Sequence, residues 1–584
     1  MSPLTPPSTS QPGAIGPVSR SETTTSASTS SYNEKDLEAG RRAPSVSSES
    51  TDTSDDDSDY NEAIIRVTTA DDPSRNDNLL HALRTLTKSA TRKTTRTQDD
   101  IDATLGTEFE VRWEKDDPEY PMNWSLVKKG WIMFMVSLQT LIVVFYSTSY
   151  ISGSSGMMKD FGIKNQTVVI LGMTTYLFGL ACGPLVLAPL SELYGRRPVY
   201  IASLVLYTVF VIPSCVAKNF ETILICRFLC AFMGSVTISN APGSLGDIFP
   251  EEWRTLAFSV FCIAPMNGPV IGPIVGGFVF QALGWRWLNW IVLISSTVLT
   301  AAGLTVPETY APILLRQRAE KKRKQTGDER YMSRWCYKAG EGDILKLLKV
   351  NLSRPLIMLF TEPICTFWAI YIAAIYGILY LSFTAYPIVF AELRGWGPGI
   401  SGLSFVGMGI GTLFAICLEP LSRKIYNHHA VDPETGKRPP EARLTVVIFA
   451  SILVPVSLFI FAWTCYPTSI HWVVPILASV PYAIGNVLIF LHSNAYLVTS
   501  YDIYSASAMA GNAVTRSILG GVMPLFGPIM YHNMGPNRAA TTLACVAVML
   551  APIPFVFYKW GKKIRMKSPM LVQLQKEKAE RGEE

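Results

Sequence analysis

The chain has 584 residues, more than a single soluble core usually holds. Only 17% of the residues are charged and 48% are apolar, whereas an ordinary soluble domain carries roughly 25% charged residues, so the balance favours a membrane protein. The net charge of +5 comes with no soluble segment in which basic and aromatic residues alternate, and we therefore expect no nucleic-acid partner.

The sequence also lacks the short motifs of several enzyme classes. It contains no Walker A sequence, no HExxH zinc motif, no Gly-x-Ser-x-Gly elbow and no paired CxxC. The ten cysteines are scattered and most lie inside apolar blocks, which is typical of packing residues. We therefore expect no enzymatic activity, no cofactor and no bound metal.

The first segment, residues 1–115, is polar and rich in Ser and Thr, with an acidic cluster at Asp55, Asp56 and Asp57. Such a composition cannot bury enough apolar surface to offset chain entropy, so we predict a disordered tail. A phosphorylated regulatory tail and a solvated tail without a specific role are both open. Because no apolar segment begins the chain, we expect no cleavable signal peptide and targeting by the first membrane helix.

Apolar blocks long enough to cross a bilayer follow, and they predict an all-α integral membrane fold with about twelve transmembrane helices. The predicted spans of the first six-helix bundle, residues 116–306, are 129–152, 168–190, 199–217, 220–241, 256–280 and 286–306. A polar central loop at 307–354 separates them from the second bundle, residues 355–560. Its predicted spans are 355–382, 397–418, 444–464, 470–498, 505–531 and 537–558, and a tail at 561–584 ends the chain.

Loop charge predicts the orientation, because cytosolic loops carry an excess of Lys and Arg. The central loop and the loops on its side of the membrane hold most of the cations. These include Arg196, Arg197, Arg316, Arg318, Lys321, Lys322, Arg323, Lys324, Arg330, Arg334, Arg423, Lys424, Lys437, Arg438, Arg443, Lys559, Lys562, Lys563 and Arg565. We therefore expect both termini in the cytosol and a multi-pass protein of the plasma membrane, with a vacuolar membrane left open. Of the glycosylation sequons, only Asn165 then lies outside, close to the start of the second span.

Two motifs suggest moving parts. The loop after the second span holds Gly195 at a tight turn, followed by two arginines that can pair with a carboxylate or with helix C-termini. The fifth span carries small residues four apart, which let helices approach closely, and we expect Gly272 and Gly276 to face the other half. Plain charge anchoring and plain packing are the alternatives. The residues of this conformational motif are Glu192, Gly195, Arg196, Arg197, Gly268, Pro269, Gly272, Pro273, Gly276 and Gly277.

These motifs carry a family resemblance over residues of about 110 to 565. The loop from Glu192 to Pro198 resembles the loop 2–3 motif of the major facilitator superfamily, although Ala188, Glu192 and Leu193 depart from its usual pattern. Gly268 to Gly277 is similar to the fifth-helix motif of its drug:proton antiporters. Further segments resemble fungal twelve-span exporters of drugs and polyamines: Trp113 to Pro118, Pro121 to Ser125, Pro307 to Pro312, Glu362 to Ile364, and Asn512 with Arg516.

The candidates for proton coupling are three charged groups inside predicted spans, Arg227, Glu362 and Arg516, and Asp247, which follows the predicted fourth span. Arg227 matches the fourth-helix arginine that the family associates with proton coupling. A mid-helix Arg costs about 2.5–3.5 kcal/mol on insertion scales, so Arg227 and Arg516 should face a cavity or a partner. We place Glu362 about two turns into the seventh span. Asp247 is expected near Arg254, where a plain salt bridge is the alternative.

A central cavity should be lined by apolar and aromatic walls with few polar groups. Its candidate residues are Gln139, Tyr146, Asn240, Tyr371, Tyr376, Tyr380, Asn486, His492, Asn494 and Asn512, each of which has helix packing as its alternative role. The resemblance implies a monomeric, proton-coupled exporter of small amphipathic or cationic compounds such as drugs, fungicides, polyamines or toxins, working by alternating access. The partners are then a small-molecule substrate, protons and the lipid bilayer. A proton-coupled uptake symporter and a non-transporting membrane sensor are the alternatives.

Overall fold

The computed structural model describes residues 109–568 and 570, apart from 115, 329, 334–343, 432–437 and 502–503. Regular structure in these residues is helical, and the one β contact is an isolated bridge between Glu110 and Met332. The prediction of an all-α membrane fold is therefore confirmed. Residues 1–108 of the predicted N-terminal tail lie outside the described residues. Arg334 and Lys437 of the cationic loops lie outside them as well.

The first bundle contains spans 1 to 6. They are Leu126–Ser152, Gln166–Tyr194, Arg196–Cys215, Phe220–Gly234 with Val236–Ile248, Glu251–Leu283, and Trp285–Gly303. Side chains cap two of them: Ser125 accepts from the Lys128 amide, and Asn165 accepts from the Thr167 amide at 2.9 Å. The sequon residue Asn165 is thus the N-cap of span 2.

The second bundle contains spans 7 to 12. They are Pro363–Pro387 with Ile388–Glu392, Pro398–Leu403 with Val406–Cys417, Leu444–Thr464, Val473–Tyr501, Ser505–Met534, and Pro536–Leu550 with Pro552–Lys567. In the described residues, four further α-helices lie outside the spans, Ser154–Phe161, Ala311–Thr326, Ile344–Thr361 and Glu419–His428, together with the 3-10 helices Pro121–Asn123 and Pro440–Arg443.

Eleven helices in the described part of the chain are long and apolar enough to cross a membrane. The predicted sixth span is the helix Trp285–Gly303, which is absent from that group because Arg286 and Asn289 make its first turns polar. It packs along spans 1 and 3 in the first bundle. With it, the order of helices matches the predicted two groups of six.

The predicted start of span 7 at residue 355 is wrong. The preceding helix ends at Thr361, and Glu362 has an extended backbone with φ −104° and ψ 107°. The residue before a proline is driven out of the α conformation, and Pro363 follows Glu362 directly. Glu362 therefore lies at the N-cap of span 7 and not two turns inside it.

Glycines with positive φ make the tightest connections. Gly284 (φ +84°) joins spans 5 and 6, and Gly535 (φ +79°) joins spans 11 and 12. The two turns occupy equivalent places in the two bundles, as expected for an internal repeat. Because an even number of spans returns the chain to its starting side, Leu126 and Lys567 lie on one side of the fold. We call it the terminal side, and the opposite side the distal side.

The bundles meet along two pairs of helices. Span 2 packs along span 11, and span 5 packs along span 8. Outward faces are apolar: on span 9 the exposed residues Phe449, Ile452, Val456, Ile460 and Trp463 recur every three or four positions. Such a stripe suits lipid contact and supports a multi-pass membrane protein.

The segment before span 1 docks on the terminal side against the helix Ala311–Thr326. Val111 is buried with Leu315 and Ala319, and Asp117 forms an ion pair with Arg318. That hydrogen-bonded ion pair holds the pKa of Asp117 below its usual range. The tryptophan of the same segment, Trp113, stacks under the Arg318 guanidinium at 5.6 Å. The segment thus fastens the start of span 1 to the helix that follows span 6.

Candidate transport site

The two bundles are hydrogen-bonded to each other in their distal halves. The Ser147 hydroxyl of span 1 lies 3.3 Å from the Tyr380 hydroxyl of span 7. The Thr174 hydroxyl of span 2 donates to the Gly521 carbonyl of span 11 at 2.7 Å. The Gly399 amide of span 8 donates to the Gln281 side chain of span 5 at 3.0 Å. These contacts close the molecule on its distal side.

A cationic and aromatic cluster lies on the terminal side of this closure. The Arg516 guanidinium lies 5.0 Å from the Tyr376 ring of span 7 and 4.9 Å from the Phe490 ring of span 10. Arg516 is five residues nearer the terminal end of span 11 than Gly521, which is about 7 Å along the helix. Arg516, Tyr376 and Phe490 are partly exposed, whereas Tyr380 and Ser147 are completely buried. The cluster therefore keeps some accessible surface, whereas the contact between Ser147 and Tyr380 has none.

Arg227 occupies a second aromatic cage, inside the first bundle. Its guanidinium lies 4.2 to 4.8 Å from the rings of Tyr146, Tyr150 and Tyr176. It donates to the carbonyls of Gly172 (2.6 Å), Tyr146 (3.1 Å) and Ser147 (3.3 Å), and so ties spans 1, 2 and 4 together. The residue is fully buried, and its Nη1 has no hydrogen-bond partner among the described residues.

The other predicted cavity residues fall into separate places. Asn512 donates to Asn494 at 2.7 Å, and both are buried in the second bundle. Tyr146 donates to Asn289 at 2.7 Å, while Gln139 donates to the Leu299 carbonyl, so both turn toward span 6. Of the remaining four, Asn240, Tyr371 and Asn486 are buried in their bundles, and buried His492 lies 3.7 Å from Glu419.

Glu362 is a docking point for the C-terminal segment on the terminal side. Its carboxylate accepts hydrogen bonds from the Ser568 hydroxyl, from the Met570 amide at 3.1 Å and from the Tyr501 hydroxyl at 3.3 Å. Burial raises the pKa of Glu362, and these three donors only partly oppose that rise. The carboxylate is thus covered by the tail and does not face the Arg516 cluster.

Asp247 pairs with Arg196, and the expected pairing with Arg254 is wrong. Arg196 Nε lies 3.5 Å from the Asp247 carboxylate, whereas Arg254 donates to the Gly246 carbonyl. Arg197 reaches the helix C-terminus at the Leu304 carbonyl, 3.0 Å away, and Glu192 is exposed. Gly195 has φ +102°, which explains why glycine is needed at this turn.

Glu308 organises the same loop. It accepts the backbone amides of Arg196 (2.9 Å) and Arg197 (3.0 Å) at the start of span 3, and those of Thr309 and Tyr310 in its own segment. A carboxylate at a helix N-terminus satisfies amides that the helix leaves free and complements its dipole. The carboxylate therefore fixes the end of span 6 against the start of span 3.

The expectation that Gly272 and Gly276 face the other half is wrong. A Cβ on Gly272 would lie 2.2 Å from the Thr148 hydroxyl, and one on Gly276 would lie 3.0 Å from the Ser152 hydroxyl, both in span 1 of the same bundle. Gly268 also faces span 1, near Val144. The motif meets the other bundle at Gly277, where a Cβ would lie 2.3 Å from the Pro398 carbonyl, and at the Pro273 carbonyl, which lies close to Gly402 of span 8.

The prolines of span 5 explain part of this packing. Pro273 has no amide hydrogen to offer the carbonyl four residues earlier, which belongs to Pro269. The Thr148 hydroxyl donates to that Pro269 carbonyl at 2.8 Å. The absence of a side chain at Gly272 leaves room for this hydroxyl, so the motif joins span 5 to span 1.

Comparison with known proteins decides the family. The sequence profile described as Major Facilitator Superfamily matches residues 133–524. The chain belongs to the Major Facilitator Superfamily. It is 41% identical over 456 residues to the MFS-type efflux pump MFS2 of Trichophyton rubrum, covering 78% of this chain and 76% of the relative. It is also 41% identical over 458 residues to the multidrug transporter mdrA of Aspergillus fumigatus, covering 78% and 75%.

A solved structure of the xylose transporter XylE from E. coli, in a partially occluded inward-open conformation, shares the superfamily fold. Its TM-score is 0.54 at 14% sequence identity, over 74% of this chain and 98% of that one. The two-bundle arrangement of this Major Facilitator Superfamily protein is thus supported by sequence and by structure.

Several residues of the site were missed by sequence reasoning in this superfamily member. Tyr150 lies four residues after Tyr146 on the same face of span 1, a spacing that indicates a shared cage. Tyr176 and Phe490 come from other spans, and no local pattern links them to Arg227 or Arg516. Ser147 and Thr174 are single hydroxyls whose partners lie more than two hundred positions away in the other bundle.

Proposed function

We propose that this chain is a proton-coupled efflux transporter of small amphipathic compounds, located in the plasma membrane with both termini in the cytosol. The names of the relatives from Trichophyton rubrum and Aspergillus fumigatus, an efflux pump and a multidrug transporter, support export. The cationic loops on the terminal side support the orientation. The protein is proposed to act as a monomer, with substrate, protons and lipid as its partners and no cofactor.

The observation that carries the proposal is that the interbundle hydrogen bonds of the described residues lie on the distal side of the Arg516 cluster. Three interbundle hydrogen bonds lie on that side, at Ser147, Thr174 and Gln281. With the terminal side in the cytosol, this arrangement is the loading state of an exporter. Rocking of the two bundles about the site would then release substrate outside.

A proton gradient supplies enough energy for this cycle. A membrane potential of about 100 mV contributes about 2.3 kcal/mol per charge. Each pH unit adds about 1.4 kcal/mol, so two units bring the total for one proton to roughly 5 kcal/mol. That is sufficient for a concentration gradient of several thousandfold, since about 1.4 kcal/mol corresponds to a factor of ten.

The charged residues have different roles in this proposal. Arginine stays protonated in proteins, so Arg227 and Arg516 act as fixed charges and not as proton carriers. Asp247 is the proposed titrating group, because its protonation would break the ion pair with Arg196 at the terminal end of span 4. Glu362 is assigned to holding the C-terminal segment, since its carboxylate is covered by Ser568 and Met570.

The proposal is tested by efflux measurements in cells that lack competing pumps. Cells expressing the protein are loaded with azoles, polyamines or fungal metabolites, and the retained compound is measured with and without an uncoupler. Uncoupler-sensitive loss of at least one compound is expected. Accumulation instead of loss would favour the uptake symporter, and no movement of any compound would favour a sensor.

A further inference from the structure

The acidic residues of the membrane spans all lie at span ends. They are Glu192, Glu221, Asp247, Glu251, Glu252 and Glu392, each within the first or last turn of its span, and Glu441, three residues before span 9. The arginines Arg227 and Arg516 lie deeper, at the eighth residue of Phe220–Ile248 and the twelfth of Ser505–Met534. The charged side chains deep within the described spans are therefore the arginines Arg227 and Arg516. The carboxylates of these spans lie nearer the span ends.

The two arginines differ in how far the protein satisfies them. Arg227 is bound by three backbone carbonyls. Among the described residues, Arg516 lies beside the rings of Tyr376 and Phe490, and its Nε is buried there without a hydrogen-bond partner. An unpaired guanidinium at membrane depth is unfavourable, and cation–π contacts offset only about 1–2 kcal/mol. Arg516 thus has donors left for a ligand.

The surroundings of Arg516 define the shape of that ligand. Tyr376 and Phe490 flank the guanidinium from two different spans, so it points into the second bundle and not toward lipid. The Tyr380 ring lies 4.7 Å from the Tyr376 ring and extends the aromatic wall toward the distal closure. A planar guanidinium binds a planar carboxylate through two parallel hydrogen bonds, and the aromatic wall suits an apolar body.

We propose that the Arg516 cluster selects monoanionic amphipathic carboxylates, with Arg516 binding the carboxylate and Tyr376 and Phe490 packing against the apolar body of the ligand. A single guanidinium neutralises one negative charge, which favours a monoanion over a dianionic phosphate. A cationic compound would meet a like charge where little water screens it. The inference rests on the proposed transport function and narrows its substrate class to anions.

The test uses three probes that share one body and differ in charge at neutral pH: para-butylbenzoate, para-butylbenzamide and para-butylbenzylamine. Binding to the purified full-length protein in lipid nanodiscs is measured by calorimetry. We expect the benzoate to bind at least about tenfold more tightly than the amide, as a hydrogen bond to a charged group predicts, and the amine to bind more weakly than both. Equal or tighter binding of the amine would overturn the proposal.

Variants of Arg516 test whether this residue causes the preference for benzoate over benzamide. Arg516→Gln should remove the preference for benzoate and leave amide affinity within about twofold, while Arg516→Lys should keep an intermediate preference because it retains charge without the planar fork. Arg538→Gln is the matched control, an exposed arginine at the distal start of span 12, and should behave as wild type. An unchanged benzoate-to-amide ratio in both Arg516 variants would also overturn the proposal.

Two further outcomes separate this inference from the transport function. If Arg516→Gln does not fold, the benzoate-to-amide affinity ratios of wild type and Arg516→Lys are compared instead. Amide binding shows that both of these proteins are folded. Counterflow of benzoate is measured in proteoliposomes in parallel. Binding that depends on Arg516 without counterflow would contradict transport and keep the anion site, whereas counterflow of the amine in preference to benzoate would contradict the anion site alone.

Discussion

Thr174 of span 2 donates a hydrogen bond to the Gly521 carbonyl of span 11, and this 2.7 Å contact joins the distal halves of the two bundles. Thr174 is buried in this state, so separation of the bundles there breaks a hydrogen bond that is shielded from water. The contact therefore stabilises the state that is closed on the distal side.

Thr174→Val removes this hydrogen bond and keeps the shape of the side chain. The loss of one buried hydrogen bond is about 1 kcal/mol, so the population open on the distal side should rise several-fold. Distances between spin labels at Lys164→Cys and Asn533→Cys, in a cysteine-depleted background, should lengthen. Thr297→Val is the control, because Thr297 bonds the Leu293 carbonyl of its own exposed helix. Unchanged distances in Thr174→Val would show that the contact does not set the balance.

Gly272→Ala should destabilise the first bundle, because its Cβ would lie 2.2 Å from the Thr148 hydroxyl and 2.9 Å from the Ser149 amide. Overpacking of this kind typically costs about 1–3 kcal/mol. Gly276→Ala should be milder, since its nearest atom is 3.0 Å away, and Gly130→Ala should be neutral, since no heavy atom lies within 4 Å. Thermal unfolding midpoints and efflux should both follow this order, with Gly272→Val lower still. Equal stability across the series would show that the span 1 contact is loose.

Glu362→Ala should release the C-terminal segment, because Ser568, Met570 and Tyr501 lose their common acceptor. Trypsin cleavage after Arg565 and Lys567 should become at least several-fold faster, while proton-driven efflux stays within about twofold of wild type, and Glu362→Gln should cleave at an intermediate rate. Because burial raises the pKa of Glu362, docking of the segment in wild type should weaken as pH rises through that pKa. Loss of proton-driven efflux in Glu362→Gln with an intact segment would return Glu362 to the coupling machinery.

Arg227→Lys should lower efflux at least about tenfold, although it keeps the positive charge. The lysine ammonium cannot reproduce the guanidinium fork that binds Gly172, Tyr146 and Ser147 at once inside the tyrosine cage. Arg227→Ala should abolish proton-driven efflux while the protein still reaches the membrane. Surface expression and substrate binding are measured beside efflux. Normal efflux and normal pH dependence in the alanine variant would remove Arg227 from the mechanism.

The sequence predicted the spans well because apolar length and loop charge are local signals. Span 8, predicted at 397–418, is Pro398–Cys417 in the structure. The start of span 7 was missed because helical propensity on both sides hid the effect of Pro363 on Glu362. The positions of Arg227 and Arg516 within their spans were readable from the sequence, whereas Glu362 was wrongly placed two turns inside span 7.

Partners across the fold were not predictable in the same way. Small residues four apart show that a helix approaches something closely, but Gly272 and Gly277 on the same helix face different partners, span 1 and span 8. The Asp247 partner was misassigned because Arg254 is near in sequence, whereas Arg196 is brought near by the turn at Gly195. Such pairings depend on helix rotation and packing, which a single sequence does not specify.

The central claim is that outward movement of substrate is exchanged for inward movement of protons. The direct measurement uses proteoliposomes of known orientation, with substrate on the side of the protein's termini and a pH indicator in the same compartment. We predict that an inwardly directed proton gradient accelerates substrate exit toward the distal side and that each exit is accompanied by proton entry. Substrate and protons moving in the same direction, or substrate exit that is unaffected by the gradient, would contradict the account.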